Sequence, residues 1–93
     1  MSGGLTTFMV VEPVFPWELR SLLLHAAVTG QKASFKATSL DDPELPPVPH
    51  TFTVKVTSAQ FEAPAAFDVT DQDGHIIQIK LSELGPVEFT VYV

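Results

Sequence analysis

Hydrophobic residues recur at helical spacing in a single stretch of this chain. Between Trp17 and Thr29, Leu19, Leu22, Leu23 and Ala26 follow the i, i+3, i+4, i+7 pattern that lines one face of a helix. After Gly30 the period changes to two. Ala33-Ser34-Phe35-Lys36-Ala37-Thr38 and Thr51-Phe52-Thr53-Val54-Lys55-Val56-Thr57 alternate apolar with polar, as strands with one wet face do. A chain with one amphipathic helix and several such segments buries its apolar atoms as an antiparallel sheet with a helix against it.

The helix has recognisable ends. Pro16 suits the first helical position, where its missing N–H is no loss, and Gly30 is the residue expected just past the C-terminus. Glu18, Arg20, Ser21 and His25 lie on the opposite side and are read as solvated, while Trp17, Leu24 and Val28 widen the apolar stripe. Before the helix, Leu5 to Glu12 is a run of β-formers in which Phe8, Met9, Val10 and Val11 are apolar on both faces of the pleat. That pattern predicts a strand covered on two sides, or one that pairs with another chain.

Downstream, Phe67 to Thr70 and His75 to Leu81 flank Asp71-Gln72-Asp73-Gly74 and predict a hairpin, Asp-Gly supplying the positive φ angles of a tight turn. Ser82 to Pro86 is read as a turn with one 3₁₀ step, and Val87, Phe89, Val91 and Val93 alternate as a last strand. Asp41 to His50 carries four prolines, which exclude a regular ladder and favour a stiff, extended connection. No internal repeat is present. Residues 1–4 are expected to be a disordered end, and residues 5–93 a single domain.

Two α+β architectures fit this order of elements, mainly antiparallel β with one α-helix. The stretch from Asp73 to Phe89, a hairpin followed by a one-turn step and a strand, resembles the end of an SH3-like or Sm-like barrel. That resemblance implies a small barrel of bent strands preceded by a strand and a helix. The alternative is an antiparallel sheet wrapped around one helix, as in the cystatin-like fold. The inhibitors of that fold carry a Gln-x-Val-x-Gly hairpin that this sequence lacks, so the resemblance would not bring protease inhibition with it.

Charge and composition narrow the functional classes. Five Lys and Arg against eleven Asp and Glu give a net charge of −6, which repels phosphate backbones and anionic lipid. With no cysteine there is no disulfide framework, thiolate site or cysteine nucleophile. The run Phe8-Met9-Val10-Val11 is far shorter than a membrane span of about 20 residues, and the first cationic side chain is Arg20, so a cytoplasmic location is expected.

Motifs for chemistry are tested and fall away. Asp71, Asp73 and Gly74 suggest a calcium loop, but with Gly74 in the sixth position the first falls on Val69 and the twelfth on Lys80. His25, His50 and His75 have no metal-ligand spacing, and neither Ser58 nor Ser82 lies in a nucleophile elbow. No catalytic residue, cofactor or metal is therefore assigned, and the chain is expected not to be an enzyme.

What remains is recognition. Phe15 and Trp17 at the helix entrance are read either as a staple against the core or as interface anchors. Met9 and Val11 supply the second apolar face of the first strand, and Leu45, Pro46, Pro47 and Pro49 belong to overlapping PxxP arrays. These eight residues are the candidate partner-binding set of a small non-enzymatic binding or regulatory module acting through protein–protein contacts. Its expected partner is another protein or a second copy, not nucleic acid or a membrane.

Two alternatives carry discriminators. A small-ligand or nucleic-acid-binding barrel requires Lys32, Lys36, Lys55 and Lys80 to converge with aromatics between them. An enzyme subunit completed by a partner would show one of the histidines beside a buried carboxylate.

Overall fold

The computed structural model describes residues 4–40, 48–62, 64–81 and 85–92. In chain order these form β1 (Leu5–Glu12), α1 (Pro16–Thr29), β2 (Ala33–Ser39), β3 (His50–Gln60), β4 (Ala66–Thr70), β5 (Ile76–Lys80) and β6 (Glu88–Tyr92). The expectations for residues 1–3, for 41–47 with Leu45, Pro46 and Pro47, for the 3₁₀ step at 82–84 and for Val93 lie outside the described residues.

The strands pair antiparallel in the order β5-β4-β3-β2-β1-β6. The two ends of that order, β5 and β6, lie beside one another, so the sheet rolls into a nearly closed barrel with α1 packed on β3 and β2. Of the two architectures expected, this is the small α+β barrel, with the first strand built into it rather than preceding it. An open sheet wrapped around a helix would have kept β5 and β6 apart.

The structure shows that β1 is itself a stave of the barrel. It lies between β2 and β6, with Val10 opposite Ala37 and Phe8 opposite Phe89. Phe8 and Val10 enter the core, while Met9 and Val11 are half-buried on the other side. β1 pairs with β6 over Leu5–Met9 and with β2 over Phe8–Glu12, so it is an interior strand of the sheet, with one face buried and the other half-buried rather than covered on both sides. β3 also runs past the alternation that announced it. A register shift between Val56 and Ser58 resets the pleat and carries the strand on to Gln60.

The core differs in chemistry along the barrel. Phe8, Phe35, Phe52 and Phe89 form a knot contributed by β1, β2, β3 and β6, with centroids 5.1 Å apart for Phe8 and Phe52 and 5.2 Å for Phe52 and Phe89. Edge-on and stacked pairs both occur, the geometry that aromatic quadrupoles favour. Across β3, β4 and β5 the filling is Val54, Phe67, Val69, Ile77 and Ile79, all fully buried. From the helix, Leu19, Leu23 and Ala26 join the same cluster and Leu24 packs at its margin. Trp17 and Val28, at the edges of the helical stripe, are exposed and do not widen it.

The hairpin turn is present, but not as a two-residue primed turn. Gly74 has φ of 84°, and among the described residues no non-glycine has a positive φ. Gly74 N–H donates to the Asp71 carbonyl (3.1 Å) and Asp71 N–H to the His75 carbonyl (3.0 Å). Gln72 and Asp73 are thus the central residues of a type I turn, and the left-handed conformation falls on Gly74 alone.

Candidate functional site

The helix entrance is built from backbone geometry that leaves its side chains outside. The chain leaves β1 through a cis Glu12–Pro13 peptide, and Phe15 takes the N-cap position with φ −97° and ψ 137°. Glu18 N–H donates to the Phe15 carbonyl (3.0 Å), and the Phe15 N–H donates back to Glu18 Oε1 (3.4 Å). This is the reciprocal half of a capping box, with no capping side chain at position 15. Pro16 occupies the first helical position, as its fixed φ suits.

Trp17 precedes Leu19 by two residues, which places it about 200° around the helix from that buried residue. It therefore points away from the core. Trp17 is 67% exposed and Phe15 55%, and their rings stack on each other with centroids 6.4 Å apart and planes at 12°. Val14 beside them is 72% exposed. The core-staple reading of this pair is thus corrected: the rings staple to one another.

An open cleft of about 430 Å³ adjoins the corner, lined in part by Glu12, Pro13, Glu18, Leu22, Phe35 and Lys36. β1 and β2 bring Glu12 and Lys36 opposite one another across the ladder, and α1 adds Glu18 and Leu22. Among the described residues no ion pair within 4.0 Å engages Glu12, Glu18 or Lys36. The lining thus brings apolar side chains together with two carboxylates and one ammonium, while Phe15 and Trp17, the sequence neighbours of Pro13 and Glu18, lie outside it.

No protein-family model, curated protein or solved structure matches the chain. Function is therefore argued from these side chains alone.

Of the eight candidate residues, Phe15 and Trp17 stand together at the corner. Met9 and Val11 lie one side of it along β1, half-buried, and Pro49 is exposed just before β3. Leu45, Pro46 and Pro47 lie outside the described residues. Sequence reasoning missed Glu12, Pro13, Leu22 and Lys36 as parts of a site and saw Glu18 only as a solvated charge. Their one sequence signal was a phenylalanine at a position where helices favour Ser, Thr, Asp or Asn.

The second polar centre is the β4–β5 turn. Asp71 is buried, and its Oδ1 accepts the N–H groups of Asp73 (2.9 Å) and His75 (2.8 Å), while Oδ2 lies 3.2 Å from His75 Nδ1. Donor atoms of Asp71, Asp73 and His75 fall within 4.8 Å of one another, a spacing a cation could bridge. Both Asp71 oxygens, however, already hold the turn. Gln72 reaches across to β3, where its Oε1 accepts the Thr53 N–H (3.0 Å) and its Nε2 donates to the Thr51 carbonyl (3.3 Å). The side-chain amide thus supplies a ladder rung to β3 upstream of the residues that β4 pairs.

The lysines do not gather by register. Lys36 pairs with Thr51, four residues or ~13 Å along β3 from Lys55. Lys55 pairs with Thr70 and Lys80 with Ala66, again four residues or ~13 Å apart along β4.

Proposed function

We propose that the chain is a non-enzymatic binding module that docks another protein through the β1–α1 corner, acting in the cytoplasm. The observation that carries this reading is the stacked, exposed Phe15–Trp17 pair. A large apolar ring at the helix N-cap, where a small polar residue would satisfy the backbone better, stacked on an exposed tryptophan in the first turn, is accounted for by a role in contact rather than in folding. The adjoining cleft offers a recess for a partner side chain, and the dispersed lysines favour a protein over a nucleic-acid partner.

Affinity capture with the wild-type chain and with Trp17→Ala tests it. Proteins retained by the wild type and lost by the variant are expected, and identical retained sets would overturn the reading. Sedimentation at high concentration separates a foreign partner from self-association.

One observation favours a second reading. His75 beside buried Asp71 is the arrangement that an enzyme subunit completed by a partner would need. An activity that emerges only on mixing with the captured partner, and that His75→Gln removes without weakening capture, would support it. Capture with no such activity would leave the pair as a turn lock.

A further inference from the structure

We infer that the occupant of this corner is a basic segment of a different protein, with one arginine or lysine lying against the Phe15–Trp17 stack and a neighbouring one entering the cleft lined by Glu12 and Glu18. This rests on the docking reading above and adds the chemistry of the partner. Stacking leaves one face of each ring uncovered by the other, and an indole face is the best aromatic surface for a cation. Glu12 is exposed at the end of β1, and Glu18 gives one oxygen to the Phe15 N–H at the long distance of 3.4 Å.

Lys36 faces the same cleft and offsets one of the two carboxylates, leaving the recess net negative. Beside the charges, half-buried Pro13 and Leu22 offer apolar surface suited to the methylene stem of a lysine or arginine or to an apolar neighbour in the partner. The net charge of −6 acts in the same direction over a longer range. It draws a basic partner in and opposes a second copy carrying the same charge.

A labelled, capped hexapeptide of alternating arginine and leucine is the probe, with versions carrying glutamine or glutamate in place of arginine as controls. Binding is read by anisotropy and by the emission of Trp17, the only tryptophan. The arginine peptide is expected to bind, to shift Trp17 emission and to weaken as salt is raised. The glutamate peptide is expected to bind at least about tenfold more weakly. Glu12→Gln and Glu18→Gln should each weaken the arginine peptide about twofold to fivefold. Both should leave the melting curve nearly unchanged, since glutamine at position 18 keeps an acceptor for the Phe15 N–H and Glu12 is exposed. Trp17→Ala should weaken it by at least about tenfold in anisotropy.

Equal binding of the glutamine and arginine peptides overturns the basic-partner inference and leaves the docking reading standing. Binding of none of the peptides also overturns it, while the docking reading is decided separately by the capture comparison. A Trp17-dependent dimer in sedimentation overturns it in favour of a second copy.

Discussion

The β4–β5 turn and the β1–α1 corner are both sharp changes of direction, and they handle their side chains in opposite ways. At the turn, Asp71 is buried and holds two backbone N–H groups and the His75 ring, and Gln72 bonds across to β3. At the corner, the side chains of Val14, Phe15 and Trp17 face water, and the N-cap side chain satisfies no backbone group. A turn whose polar groups converge inward is explained by the fold it closes. A corner whose apolar groups point outward is not, and that is why the docking site is proposed there.

The largest test of that contrast is Asp71→Ala. It leaves the N–H groups of Asp73 and His75 without their acceptor, and a loss of about 1–3 kcal/mol in urea unfolding is expected, with docking unchanged. Asp71→Asn keeps an acceptor oxygen for the two N–H groups and should lose less. If Asp71→Ala weakened docking while Trp17→Ala did not, the roles assigned to the two regions would be reversed.

Gly74→Ala isolates the backbone contribution at the turn. A Cβ there meets nothing within 4 Å, so the cost is that of forcing an L side chain into φ of 84°, about 1 kcal/mol. Gly74→Asn should cost less, because asparagine tolerates the left-handed region. Equal losses for the two in thermal unfolding would mean that something other than backbone conformation sets the requirement for glycine.

The same contrast explains what the sequence reveals. β1 is legible over its full span, Leu5–Glu12, and the helix differs from the expected Trp17–Thr29 by the single residue Pro16, because both patterns are local. The last residues of β3 are not legible, since the register shift at Thr57 breaks the alternation that periodicity relies on. Asp71 reads as a turn residue, but its burial depends on packing that no local pattern encodes. At the corner, Phe15 and Trp17 stand out by residue type. Glu12 and Lys36 meet only through the β1–β2 register, and Leu22 joins them only because α1 lies where it does.

The smallest expected change in stability, and the one of opposite sign, comes from Phe15→Ser. Phe15 already has the extended φ and ψ of an N-cap, and Glu18 stands at the third helical position, so serine would complete a Ser-x-x-Glu capping box. Such a cap stabilises a helix by about 1 kcal/mol, against which stands the stacking with Trp17, an exposed aromatic contact of about 0.5 kcal/mol. A net gain of about 0.5 kcal/mol is expected in urea unfolding, together with weaker docking. A variant that folds better and binds worse would show that phenylalanine is held at this position against the preference of the helix. A loss of stability would instead place the Phe15 ring among the fold's own contacts and remove the main physical reason for assigning the corner to a partner.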